Sequence, residues 1–275
     1  MHTQETTVVR EGGDIRFFDL KRHERVGDLV REITNATSEG IRAFTLHFPR
    51  QTVCYPNVSA PLASIVHHYR QLGITIAIAT DSTFSGITNI DSPRLAVVDE
   101  IDSSDRVFSG VWKFSDITGI FRLISKIIQV ISERVLCSPG VLLSLEWCLN
   151  EVTDNVFRHS QNQVGFLSVQ LHPNVPGQNL SICVADSGIG IFRSLRKTHF
   201  PADSIEAIQL SLEKGVTGDV RGQGNGLWGL SQLVEANSGL LRIISSDGTV
   251  EINSTLEETV VLTSKRRPYP GPKNQ

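Results

Sequence analysis

The segment from Val141 to Ser160, VLLSLEWCLNEVTDNVFRHS, narrows the possible folds more than any other stretch of the chain. Leu142, Leu145, Leu149, Val152 and Val156 recur at alternating steps of three and four, which makes one apolar face of a helix. Glu151, Asn155 and His159 recur at steps of four and form a second, polar stripe. At about 100° per residue, that stripe lies roughly a quarter turn from the centre of the apolar face. A helix of this kind buries its apolar face on a neighbouring layer and displays the stripe along the edge of the contact. An acid and an amide displayed together suit metal-bound phosphate, because Mg²⁺ takes oxygen ligands, keeps several waters and is often held by one or two protein oxygens. Asn155 can supply a carbonyl oxygen, and Glu151, one turn earlier, can hold or deprotonate a water. The same spacing also fits an amphipathic helix with a polar flank.

Two glycine clusters follow. Leu180 to Ala185 (LSICVA) has the length and composition of a buried strand, and it runs into Asp186-Ser187-Gly188-Ile189-Gly190. A carboxylate at a strand end can accept a hydrogen bond from an exocyclic amine, and glycines let a ligand ring approach the backbone. A tight turn is the alternative use of these residues. The second cluster, Gly222-Gln223-Gly224-Asn225-Gly226-Leu227-Trp228-Gly229, opens a helix expected from Leu227 to about Asn237, with Gly239 as its stop. Glycine-rich backbone at a helix N-terminus offers free N–H groups to an anion, and the helix dipole reinforces them.

Gly224, Gly226 and Gly229 also satisfy the dinucleotide fingerprint G-x-G-x-x-G, with Asp247 beyond the strand Leu240 to Ile244. That fingerprint requires a strand directly before its first glycine. The preceding run from Gly215 to Arg221 reads as a flexible loop, and the residues after Asp247 are too few to complete a doubly wound sheet. The Rossmann reading is therefore rejected, and the pattern G-x-x-x-x-G-K-[ST] is absent from the sequence.

The first hundred residues alternate helix and strand. A helix is expected over Asp28 to Thr37, a strand over Ala43 to Phe48, a helix opened by Pro61 and stopped by Gly73, a strand over Ile74 to Ala79 and another over Arg94 to Val98. Strand, helix, strand in this order implies a parallel βαβ unit. The hydrophilic run Asp99 to Asp105 reads as a linker, and the long pattern from Ile117 reads as a helix ended before Ser138 and Pro139, taken as the N-cap and first position of the next one. The divisions expected are a small α/β domain over 1–105, a nucleotide-type domain over 106–263, and a flexible, basic, Pro-rich tail over 264–275.

Composition excludes several classes. Lys and Arg number 26 against 29 Asp and Glu, so the chain lacks the basic excess of a nucleic-acid binder. The run Lys265-Arg266-Arg267 reads as part of a solvated tail. No apolar run has the length of a membrane span, and the polar start lacks the apolar centre of a secretory signal. Cys54, Cys137, Cys148 and Cys183 form no CxxC pair and are too few for a disulfide framework, so a reducing cytoplasm is the expected location.

Taken in order, LNEVTDNVFRHS, DSGIG and GQGNGL resemble the N-box, D-x-G-x-G box and G-x-G-x-G-L box of the GHKL, or Bergerat-fold, superfamily of ATPases and kinases. The resemblance covers roughly Ile117 to Thr263. It implies an α/β sandwich with helices on one face of a mixed sheet, and a site for ATP and Mg²⁺. It assigns Asn155 to the metal and Glu151 to the general base or the metal. Asp186 takes the adenine amino group, with Gly188 and Gly190 lining the ring, and Gly222, Gly224, Gly226 and Leu227 form the phosphate-binding turn. Ile191 to Arg221 becomes an ATP lid in which Lys214 reaches a phosphate, and Thr259 corresponds to a Thr near the adenine. His159 falls where many members carry a basic residue.

The stretch FTLHFP, PLASIVHHYRQLG and ITIAIA, within residues 10 to 105, resembles a STAS domain, the small α/β module that partners bacterial regulatory kinases. Its antagonist members carry a phosphorylatable residue beside an Asp-Ser-Ser-Gly-like loop. Here that region reads CYPNVSAP, which argues against a phosphoacceptor role for Ser59. A generic α/β scaffold or dimerisation domain fits this half equally. No paired-helix phosphoacceptor-histidine domain precedes the N-box, and His23 lacks such surroundings, so a sensor kinase is not expected. The expected function is a regulator that binds Mg-ATP and hydrolyses it slowly or transfers its γ-phosphate. The alternatives are an ATP-switched interaction module without turnover and a serine kinase, in the manner of anti-sigma-factor kinases, acting on a STAS partner. A regulatory protein partner and a homodimer are the expected associations.

Overall fold

A computed structural model describes residues 8–20, 24–49, 52–79, 84–86, 89–102, 108, 110–161, 163–172, 179–218, 224–255 and 259–265. The chain is mixed α/β, and its contacts group into two units that interleave in sequence. The first takes Met1–Phe114 with Gly165–Asp186, the second Ser115–Val164 with Ser187–Gln275. These units and the sequence boundary near residue 105 divide the chain differently.

In the first unit, β1 (Val8–Glu11) and β2 (Asp14–Phe17) form an antiparallel hairpin, and α1 (Glu24–Ser38) follows. Val26, Leu29, Val30, Ile33 and Ala36 give α1 one buried stripe. Next come β3 (Ala43–His47), β4 (Thr52–Cys54), α2 (Pro56–Gln71) and β5 (Thr75–Ile78). β3 pairs in parallel with β5, from Ala43 opposite Thr75 to Leu46 opposite Ile78, so the βαβ unit read from the sequence is present. The sheet order is β1-β2-β3-β5. After β6 (Phe84–Gly86), which pairs with β4, come β7 (Arg94–Leu95), α3 (Val98–Asp102), β8 (Val111–Phe114), β9 (Gly165–His172) and β10 (Asn179–Asp186). These last strands form a second sheet in the order β10-β9-β8-β7.

Helix α2 organises this unit, touching β5 of one sheet and β8, β9 and β10 of the other. It is buried on most of its circumference because Ser59, Ala60, Ala63 and Ser64 are small enough to approach a sheet while Val58, Leu62 and Val66 fill the remaining space. The helix begins at Pro56, five residues before the start expected at Pro61. Pro56 occupies the first turn, where its missing N–H costs nothing, and Pro61 lies inside the helix, leaving Asn57 without the usual i+4 donor. Gly73 ends it as expected, at φ 75°, with Ile74 N–H donating to Tyr69 O at 3.0 Å. Ser59 is fully buried and its hydroxyl donates to Ser168 Oγ at 3.2 Å.

Two further expectations are corrected here. The strand expected over Arg94 to Val98 stops at Leu95, and the acidic run taken as a linker begins with helix α3. Ile101, within the acidic run, is buried with no exposure, whereas Val98 stays exposed.

The second unit contains α4 (Ile117–Arg134), α5 (Val141–His159), α6 (Gly190–Leu195), α7 (Ser204–Ser211) and α8 (Gly226–Ala236). Its sheet is the antiparallel meander β11 (Leu240–Ser245), β12 (Gly248–Asn253) and β13 (Val260–Lys265). Asp116 caps α4 by accepting from Gly119 N–H at 2.7 Å, and Ile120, Leu123, Ile124, Ile127 and Ile131 form its buried face. Helix α5 starts after Gly140 rather than at Pro139: Gly140 stands at φ 85°, and no helix can run through a left-handed residue. The stretch read as a lid carries α6 and α7, with Leu195, Ala207 and Ile208 buried. Two residues of the expected tail lie in a strand. Ser264 and Lys265 belong to β13; the Glu206 N–H that Asp203 accepts, followed by Lys265, whose Nζ lies 2.9 Å from Asp203 Oδ2, holds Asp203 below the usual carboxylate range. Residues 266–275 lie outside the described residues.

Candidate functional site

Helix α5 is the ruler along which the sequence motifs of the second unit meet. Its buried line is Cys148, Leu149, Thr153 and Val156, turned slightly from the leucine face expected, and Leu143 is 73% exposed. Thr153 is tolerated in this line because its hydroxyl donates back to Leu149 O at 2.8 Å. α5 packs against both α4 and α8.

Glu151 and Asn155 face the first residue of α8. A Cβ built on Gly226 would stand 2.9 Å from Glu151 Cβ, 3.6 Å from Glu151 Oε2 and 3.7 Å from Asn155 Nδ2. The third motif therefore abuts the first, and only a glycine lets the helix start approach the two polar heads this closely. The Asn225 side chain makes no capping bond to the N-terminal N–H groups of α8. Gly224 stands at φ 64° with its backbone against Gly215, whose N–H donates to Gly224 O at 3.0 Å. That contact brings Lys214 to the same place: its ammonium lies 5.0 Å from the centre of the Trp228 ring, in the first turn of α8. Leu227 follows Gly226 in that turn, half-buried.

The second motif meets α5 near its C-terminal end. A Cβ on Gly188 would fall 2.3 Å from both Cβ and O of Ser160, and Ile189 N–H donates to Ser160 O at 3.1 Å. Gly190, at φ 77°, is held by the hairpin turn after β11, where Ile191 N–H donates to Ser245 Oγ at 2.8 Å. At about 1.5 Å per residue, Glu151, Asn155 and Ser160 span roughly 14 Å of helix. The described parts of both glycine clusters thus lie along one stretch of α5 or beside it.

Asp186, exposed at the end of β10, groups with the first unit. Thr259 donates to Glu235 Oε1 at 3.2 Å, near the C-terminal end of α8 and so roughly 13 Å along the helix from Gly226. Gly222 lies outside the described residues, and the backbone of His159 completes α5. Sequence reading missed Ser160, Ser245, Trp147 and Trp228. Trp147 sits beneath Gly229, where a Cβ would come within 2.4 Å of its ring. A tryptophan one turn before Glu151, and glycine three residues after Gly226, were the signals available.

The Glu151 carboxylate lies beside the start of α8. The Cys148 thiol, one turn before Glu151, is pushed up to about 11 by burial, with the Glu151 charge adding to the effect. Among the described residues no group of three or more His, Cys, Asp or Glu side chains is disposed to hold a metal ion, and no helix is long and apolar enough to cross a membrane. In comparisons with known proteins, no family model, curated protein or solved structure matches the chain.

Proposed function

We propose that the second unit binds ATP with magnesium, its phosphates received at the first turn of α8. The observation that carries this reading is the close approach of Gly226 to Glu151 and Asn155, which joins an anion-accepting helix start to two oxygen-bearing side chains. A phosphate and the Glu151 carboxylate at one helix terminus repel each other unless a cation lies between them. Magnesium suits that place because it accepts one or two protein oxygens and fills its remaining positions with water and phosphate oxygens. Glu151 and Asn155 would hold it, and bound magnesium would neutralise charge on the phosphates. Gly224 lets the loop pack on Gly215, Gly226 lets the start of α8 approach Glu151 and Asn155, and Lys214 adds a positive charge beside the first turn. Asp186 and the Gly188–Gly190 turn are the proposed purine-binding elements, on the strength of the motif they share with the GHKL superfamily.

Turnover, where it occurs, assigns Glu151 to orienting and deprotonating the attacking water or hydroxyl, since phosphoryl transfer relies on positioning and charge neutralisation. A phosphate-release assay on wild type and Glu151→Ala, paired with an ATP-binding measurement on both, tests the assignment. Loss of release with binding retained is the expected result. Release by Glu151→Ala at the wild-type rate removes the base role, and absence of release from wild type with ATP bound makes the unit a nucleotide-switched interaction module.

A further inference from the structure

A second site stands in the first unit, apart from anything assigned above. Positions 63, 66, 67 and 70 of α2 share one helical face, and a cavity of about 220 Å³ opens beside them. Its floor is a row of paired residues, Leu95 on β7 opposite Lys113 on β8, and Lys113 opposite Phe166 on β9. Lys113 is therefore a cation in the middle of a sheet, half-buried, on the side lined by α2 and flanked by two apolar residues.

The cavity lining carries two cations, Arg70 and Lys113, and one carboxylate, Asp91, while Glu100 accepts from Leu95 N–H at 2.9 Å. The Arg70 guanidinium donates to Ile76 O at 3.1 Å and to Asp91 Oδ1 at 2.5 Å, so the one carboxylate lining the cavity is already paired. Among the described residues no carboxylate lies within ion-pair distance of the Lys113 ammonium. His67 also lines the cavity, its ring 5.6 Å from that of Phe166, and burial followed by the charges of Lys113, His68 and Arg70 lowers its pKa. A half-buried, unmatched ammonium beside an imidazole is costly for a fold to maintain without a partner. The remaining walls, Ala63, Val66, Pro93, Leu95 and Phe166, are apolar.

We infer that this cavity binds a small carboxylate with an apolar body, its charged end on Lys113 and His67 and its body against Phe166, Val66 and Leu95. Among the lining residues the excess of a single positive charge matches a monoanion, and the apolar walls favour an organic acid over inorganic phosphate. The volume lies below the roughly 300–1,000 Å³ usual for larger ligands, which restricts the body to about one ring or a short chain.

The test is calorimetric titration of the full chain with benzoate, benzamide and inorganic phosphate, repeated on Lys113→Met and on Leu95→Trp, which fills the mouth from an exposed position. Saturable benzoate binding in the millimolar range or below is expected, at least about tenfold weaker in both variants, with benzamide and phosphate each weaker than benzoate by a similar factor. Circular dichroism checks that each variant is folded, and Leu95→Trp serves where Lys113→Met is not. Benzoate that fails to saturate wild type, binds folded Lys113→Met with unchanged affinity, or binds no better than benzamide or phosphate would overturn the inference.

Discussion

Gly226→Ala isolates the contact on which the candidate site depends. The added methyl would enter 2.9 Å from Glu151 Cβ, and that atom is fixed to the backbone of α5, so it cannot swing aside as a side-chain tip would. Either α8 withdraws from α5 by several tenths of an ångström or α5 shifts. Overpacking of this kind costs about 1–3 kcal/mol. Opposing it is the gain from replacing glycine in a helix, about 0.5–1 kcal/mol and smaller at a first position. The net expectation is a loss of about 1–2 kcal/mol, which for a chain of this size lowers the Tm by about 2–8 °C. The same displacement separates the helix start from Glu151 and Asn155, so affinity for Mg-ATP falls by about tenfold or more. Differential scanning calorimetry and a binding titration read both effects. A variant with unchanged or raised Tm and wild-type affinity would refute the claim that the closeness of these helices is what glycine serves here.

Gly27→Ala is the matching control: it lies inside α1 with nothing within 4 Å of its added Cβ, and thermal unfolding should show a gain of about 0.5–1 kcal/mol. Asp116→Ala removes the cap that accepts from Gly119 N–H and should cost about 1 kcal/mol, measured by denaturant unfolding. Burial pushes the Cys54 thiol from 9.0 to about 12, so above pH 9 the unfolded chain loses a proton that the folded chain keeps. Its contribution is intact below pH 9 and declines up to about pH 12, by about 1.4 kcal/mol per pH unit, and unfolding curves of Cys54→Ala should lack this part of the alkaline slope.

The sequence was most legible where one period dominated. The isoleucines of α4 and the β-branched run of β5 announce a helix and a strand without competition, and Gly73 and Gly239 mark helix ends that chain geometry enforces. Misreadings fell where two local signals competed. Pro56 and Pro61 both suit a helix start, and only burial of Val58, Ser59 and Ala60 decides for the earlier one. Ser138 and Pro139 form a good cap and first turn, but the left-handed backbone of Gly140 intervenes. In the candidate site, the juxtaposition of Gly226 with Glu151 and Asn155 follows from motif order, whereas Trp147 beneath Gly229 depends on how α5 and α8 pack. The grouping of Asp186 with the first unit was equally out of reach, since a strand's sheet partners are set by residues far along the chain.

The central claim is that Glu151 and Asn155 hold a cation against phosphates at the start of α8, and titration of ATP with and without Mg²⁺ into wild type and Asn155→Ala addresses it most directly. The account predicts that wild type binds ATP more tightly with Mg²⁺ by about tenfold or more, and that Asn155→Ala loses most of that difference. Binding of ATP that is indifferent to Mg²⁺, a variant that keeps the full metal effect, or no binding at all would contradict it.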